Sequence, residues 1–167
     1  PSDIVGLGLI QSQQGNTLFG DMGVAETLEL AAFKKSARTL VVQNLSYVYD
    51  LFPRLAERKT QHAKTLSGGE RQMLSIGAAL MCAPRLLILD EPTLGLSPKL
   101  KEQLVSALQA ISKTIPLVVV EQDVELLLGL SNRLYMIEHG QIVREIGAHN
   151  KPDQKEIMQM YFGTHSA

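Results

Sequence analysis

Leu86-Leu87-Ile88-Leu89-Asp90-Glu91 is the stretch that decides the fold. Four consecutive apolar residues ending on two carboxylates are too short for a helix and read as a parallel β-strand buried on both faces. A second run of the same kind, Leu117-Val118-Val119-Val120-Glu121, opens after Pro116. Between them stands Ser97-Pro98, a helix start with an N-cap followed by proline at the first helical position. Leu100, Leu104, Leu108 and Ile111 supply that helix with an apolar stripe. Strand, helix and strand in this order imply a doubly wound parallel sheet. Ligands of such sheets bind beyond the carboxyl ends of the strands, where Asp90 and Glu121 stand.

Upstream the period changes. Val24, Leu28 and Ala32 share one helical face, and Leu45, Val48 and Phe52 make a second stripe that Pro53 breaks. A third helix follows Ser67, with Met73, Ile76, Gly77 and Leu80 at helical spacing, and stops before Pro84. The segment 10–23, rich in glutamine and glycine, reads as a short strand running into a loop. Downstream, a short helix follows Asp123, and 134–138 and 141–146 form a hairpin around His139-Gly140. A last helix carries Ile157, Met160 and Tyr161.

Composition bounds the class. A chain of 167 residues suits one domain burying roughly 70% of its unfolded surface. With 45% hydrophobic and 20% charged residues it is globular and not disordered. Sixteen basic against seventeen acidic residues leave a net charge of −1, so no basic excess points to nucleic acid. Cys82 stands alone, which excludes an internal disulfide and a paired-cysteine metal site and fits a reducing compartment. Pro84 and Arg85 split the longest apolar run well short of the roughly 18 residues a membrane span needs. The first residues have no basic start and do not read as a signal peptide. An intracellular domain is the expectation. His62, His139, His149 and His165 lack metal-ligand spacing and read as solvated, as does the basic cluster Arg54, Arg58, Lys59 and Lys64.

Two motifs carry chemistry. Leu66-Ser67-Gly68-Gly69-Glu70 reads as a capping box, in which the Ser67 hydroxyl takes the backbone N–H three residues on and Glu70 reaches back. That explains Ser67 and Glu70 but not the glycines, each of which costs a helix roughly 1 kcal/mol relative to alanine. Two together make sense if a ligand must approach the backbone, and a helix start with bare N–H groups favours an anion. In the second motif, Asp90 and Glu91 repel each other unless a cation or bound water intervenes. A divalent metal on Asp90, with Glu91 facing an attacking water, is one coherent division. A helix-capping aspartate beside a solvated glutamate is the other. Gln14, in Gln11-Ser12-Gln13-Gln14, reads by itself as a solvated loop residue.

Together these residues resemble the ATP-binding subunit of ABC transporters. Residues 66–70 match the signature motif and 86–91 the Walker B strand with its catalytic glutamate. Leu51-Phe52-Pro53-Arg54-Leu55 and Glu91-Pro92-Thr93-Leu94-Gly95-Leu96-Ser97-Pro98 are similar to the branched-chain amino-acid (Liv-type) and related amide or urea uptake ATPases. The resemblance implies an α/β fold with a parallel-sheet, RecA-like ABC ATPase core, here incomplete, spanning 1–22 and 83–167. It implies an α-helical signature subdomain at 23–82. ATP and Mg2+ are the implied cofactors. Leu66, Ser67, Gly68, Gly69 and Glu70 would bind the terminal phosphate of ATP held by the opposite subunit of a dimer. Asp90 would hold magnesium through water, and Glu91 would polarise the attacking water. Gln14 falls at the Q-loop glutamine, touching magnesium and sensing the transmembrane subunit. Ser97 falls at the D-loop, where many relatives have aspartate. Gln122 stands where many have the switch histidine; an amide still donates a hydrogen bond to phosphate but carries no charge.

The partners so implied are a second ABC ATPase subunit, identical or not, and transmembrane permease subunits, with no nucleic acid. The implied location is the cytoplasm, peripheral at the inner face of the membrane. No Gly-Lys pair occurs in the chain, so the Gly-x-x-x-x-Gly-Lys loop that cradles phosphates is missing from it. The expectation is a C-terminal portion of an ABC ATPase, inactive or nearly so alone, with apolar surface or strand edges left open. The lack of heptads and the contiguity of Gln14, the helical stretch and the signature argue against the rival class of ABC-like ATPases of chromosome condensation and DNA repair. The alternative is a non-catalytic module donating its signature to a partner's ATP.

Overall fold

The computed structural model describes residues 2–12 and 20–147; Gln14 and the expected last helix, with Ile157, Met160 and Tyr161, lie outside them. In chain order the elements are α1 (Ser2–Gly6), β1 (Leu9–Ser12), α2 (Val24–Ala31), α3 (Lys35–Arg38), α4 (Val41–Leu51) and α5 (Pro53–Glu57). A 3₁₀ turn (Ala63–Thr65), α6 (Gly68–Met81), β2 (Leu86–Asp90), α7 (Pro98–Ser112) and β3 (Leu117–Val120) follow. The remainder is α8 (Val124–Leu130), β4 (Arg133–Glu138) and β5 (Gln141–Gly147). The chain forms two compact units, Pro1–Val120 and Glu121–Ala167.

The first unit holds a parallel sheet in the order β1-β2-β3. Register places Ile10 beside Leu87 and Ser12 beside Leu89, with Leu117 and Val119 beyond, so these six share a face. Over β1 and β2 that face is closed: Ile10, Ser12, Leu87 and Leu89 are buried, and the Ser12 and Ser75 hydroxyls meet at 3.1 Å between β1 and α6, while Leu117 and Val119 on β3 are half-buried. The other face corrects the expectation of a strand buried on both sides. Leu86 and Ile88 are half-buried there, and Val118 and Val120 are 46% and 54% exposed. An apolar run specifies a strand, but the elements laid over it decide which side is dry.

Helices α2, α4 and α5 pack on α6. Leu28, Val48, Leu55, Leu74, Ile76 and Met81 are fully buried, each burial contributing roughly 1.5–3 kcal/mol. Gly77 permits the close approach, since a Cβ there would lie 2.9 Å from Val48 Cγ1 and 3.2 Å from Leu28 Cδ2. Pro53 at the first position of α5 ends α4 as expected. The first amides of α2, from Val24 and Ala25, donate at 3.0 Å to the carbonyls of Gln61 and Lys59. The segment just before α6 is thereby tied to the start of α2. Helix α1 was not expected, because five residues are too few to display a helical period.

In the second unit Asp123 caps α8, its carboxylate accepting the Leu126 N–H at 2.9 Å. Strands β4 and β5 form the expected antiparallel hairpin. His139 and Gly140 take φ +48° and +76°, the positive pair that a tight two-residue turn requires.

Candidate functional site

At the start of α6, Ser67 is extended (φ −62°, ψ 161°) and caps the helix. Its hydroxyl accepts the Glu70 N–H at 3.3 Å, while a Glu70 carboxylate oxygen accepts the Ser67 N–H at 2.9 Å. The capping box is therefore real. The Arg71 guanidinium donates to the Leu66 carbonyl and holds the turn from behind, and Leu66 itself is buried. Among the described residues no acceptor meets the amides of Gly68 and Gly69. Two unsatisfied donors, an exposed hydroxyl and the positive end of a four-turn helix suit an anion.

The surroundings of the two glycines differ. A Cβ on Gly69 would stand 2.5 Å from Leu100 Cδ1 and 3.3 Å from Leu96 Cδ2, so this glycine lets α6 dock on the first turn of α7. A Cβ on Gly68 would meet nothing within 4 Å. Gly68 is the position that leaves backbone open to an incoming group.

Glu70 is the hub of the turn. Its second carboxylate oxygen lies 3.0 Å from Arg58 Nε. Another Arg58 nitrogen donates to Gln61 Oε1 at 2.8 Å, and Gln61 Nε2 donates to Thr65 Oγ1 at 2.9 Å. Burial pushes the Glu70 carboxyl up, but the Ser67 amide and side chain, then Arg58 and Arg54, outweigh it and hold the group below its ordinary value. Of the basic cluster, Arg54, Lys59 and Lys64 are exposed as expected of a solvated face and Arg58 is half-buried, and each cation has a partner. Arg54 pairs with Glu57 at 2.7 Å, Lys59 sits 4.7 Å above the Tyr49 ring, and Lys64 pairs with Asp21 at 2.5 Å. His62 is exposed, yet its Nδ1 lies 2.7 Å from the Asp21 carbonyl oxygen. No local spacing rule finds Arg58, since its partner stands twelve positions along and beyond a turn.

The acidic couple closes β2. Asp90 is half-buried and in register with Val120 of β3. Glu91 takes φ +43°, a left-handed conformation costing a non-glycine residue of order 1–3 kcal/mol. Its amide donates to the Val120 carbonyl at 2.8 Å, and its own carbonyl accepts the Leu94 N–H at 3.2 Å. The chain leaves the strand at Glu91 and turns through buried Thr93 toward Leu96, which abuts Gly69. Ser97 begins α7 through its backbone alone; its carbonyl accepts the Lys101 N–H at 2.9 Å and its hydroxyl makes no cap bond. No group of three or more metal-binding side chains exists among the described residues. Asp90 supplies a hard oxygen donor of the kind Mg2+ takes when waters and phosphate oxygens complete its shell, and so fits that ion. Gln122 belongs to the second unit, where it is exposed and its amide meets the Glu121 carboxylate at 3.2 Å. Gln14 lies outside the described residues.

The family model of ABC transporters matches residues 6–94. The high-affinity branched-chain amino acid transport ATP-binding protein BraG of Pseudomonas aeruginosa is 41% identical over 78% of this chain and 56% of its own length. The probable branched-chain amino acid transport ATP-binding protein LivF of Archaeoglobus fulgidus is 34% identical over 81% and 58%. A ribose import ATP-binding protein, RbsA 2 of Rhizobium etli, is 27% identical over 99% and 35%. The chain thus spans about half the length of the branched-chain relatives it matches. Among solved structures, the ADP conformation of the ATP-binding cassette MJ1267 superposes with a TM-score of 0.73 at 22% identity, over 98% of this chain and 71% of that one. A dimeric post-hydrolysis cassette, MJ0796 bound to ADP and Pi, gives 0.66 at 22% identity over 84% and 62%. These two likenesses establish the fold.

Proposed function

The chain belongs to the ABC transporter family, and on that premise we propose that it serves as an ATP-binding subunit of an importer whose cargo is branched-chain amino acids or related amides and urea. BraG and LivF support that cargo class over ribose, because their identity to this chain is higher. Ser67, Gly68 and Gly69 receive the terminal phosphate of ATP held by a second ABC subunit, with Leu66 and Glu70 shaping the turn. Asp90 holds Mg2+ through water, and Glu91 orients the attacking water. Gln14, Ser97 and Gln122 take the Q-loop, D-loop and switch positions. Mg2+, when bound, neutralises charge on the phosphates. The observation that carries this reading is the pair of amides at Gly68 and Gly69 that meet no acceptor among the described residues, on a helix start where the neighbouring amides of Ser67, Glu70 and Arg71 are paired.

In this reading 1–22 and 83–167 form the ATPase core and 23–82 the helical subdomain, with the subunit in the cytoplasm beneath membrane permeases. No helix among the described residues is long and apolar enough to cross a membrane, which is compatible with that place. The 167 residues contain no Gly-Lys pair, so this chain by itself hydrolyses no ATP and acts by completing a partner's site. A well-formed signature turn beside that missing pair favours a second reading, a non-catalytic donor of the signature. Steady-state hydrolysis separates the outcomes. The chain alone is expected at background, and it accelerates a P-loop-bearing ABC subunit of the branched-chain type on mixing. If Glu91→Gln leaves that acceleration intact, the chain is a non-catalytic donor; if acceleration is lost, Glu91 is catalytic. Full turnover by the chain alone overturns the non-catalytic reading and the expectation that the chain by itself hydrolyses no ATP.

A further inference from the structure

We propose that Arg58 is a positioning residue that holds the Glu70 carboxylate off the open amides of Gly68 and Gly69, so that the start of α6 stays free for an anion. This rests on the reading above, that those amides receive a phosphate. A carboxylate in the first turn of a helix is itself an anion attracted to the same unsatisfied donors. Glu70 lies one residue beyond the glycines and would both compete with an incoming phosphate and repel it.

The geometry resolves the conflict sideways. One Glu70 oxygen is occupied by the Ser67 N–H at 2.9 Å and the other by Arg58 Nε at 3.0 Å. Arg58 is braced in turn by Gln61 at 2.8 Å, and Gln61 by Thr65 at 2.9 Å, so the fork cannot swing with its partner. The pair is net neutral. Its side chains are 37% and 12% exposed, so it is screened less than a surface ion pair. Arg54 also faces Glu70 but is itself engaged by Glu57 at 2.7 Å, which leaves Arg58 as the direct clamp.

The test compares the wild-type chain with Arg58→Ala, Glu70→Gln and the double variant. Glutamine keeps an acceptor for the Ser67 N–H and removes the charge, so it makes Arg58 dispensable. Association with a P-loop-bearing ABC subunit, followed by sedimentation against Mg-ATP concentration, gives the half-saturating ATP. Arg58→Ala is expected to raise it about tenfold, the scale of losing one partner of a charged hydrogen-bonded pair. The double variant raises it less than Arg58→Ala alone does, because the intruding charge is gone. Should Arg58→Ala and the double variant weaken association equally, Arg58 is merely structural and the proposal is overturned. Amide chemical shifts of Gly68 and Gly69 in the chain alone form the second arm. They move in Arg58→Ala and revert in the double variant if Arg58 holds the carboxylate aside. Unchanged shifts overturn the proposal whatever the sedimentation shows. Moving shifts with no ATP-dependent association of wild type overturn the phosphate reading instead.

Discussion

Gly68 and Gly69 look interchangeable in sequence, and the structure gives them opposite consequences. Gly69→Ala drives a methyl to 2.5 Å from Leu100 Cδ1. Overpacking of that kind costs about 1–3 kcal/mol, against the roughly 1 kcal/mol that alanine returns in helix propensity. A lowered melting temperature is the expected result, read by calorimetry. Gly68→Ala meets nothing, so its melting temperature holds or rises, while ATP-dependent association with a P-loop-bearing subunit falls at least about tenfold, as when backbone approach is blocked. A Gly68→Ala chain that melts lower and binds normally would mean the open amides serve the fold and not a ligand. The pattern Ser-Gly-Gly-Glu made the turn legible because capping is a local, spacing-bound interaction. The division of labour between the glycines was illegible, because Leu96 and Leu100 reach Gly69 from a different helix.

At the scale of the element, the start of α6 is held by charge as well as by packing. The Glu70 carboxyl is depressed by Ser67, Arg58 and Arg54 against the opposing push of burial. A depressed carboxylate contributes stability that is present above its unfolded value near 4.5 and is lost as pH falls through the lower folded value. Urea denaturation across that window should therefore show wild type losing more stability toward acid than Glu70→Gln. Equal acid sensitivity in the two chains would remove Glu70 as an anchor. Strand β2 and helices α4, α6 and α7 were legible because period, Pro53, Ser67 and Pro98 mark them within a few residues. The engagement of Arg58, Lys59, Lys64 and His62 was not, since each partner comes from a distant turn or helix that only folding brings near.

For the whole molecule, the sheet is where prediction and structure part most. Its apolar runs identified parallel strands, yet Val118 and Val120 stay about half exposed because a strand's sequence cannot specify what covers it. Strand β3 is an outer strand of the three among the described residues, and the exposed apolar face it carries invites association. Val118→Lys with Val120→Lys should lower light scattering of the concentrated chain relative to wild type; unchanged scattering would locate any association elsewhere. The central claim is that this chain completes a nucleotide site on a second subunit. Sedimentation velocity of the chain mixed with a P-loop-bearing ABC subunit, with and without Mg-ATP, tests it most directly. The account predicts a complex that forms only with Mg-ATP and disappears when Gly68 is changed to valine. Identical sedimentation with and without nucleotide, or a Gly68→Val chain that associates as wild type does, would contradict it.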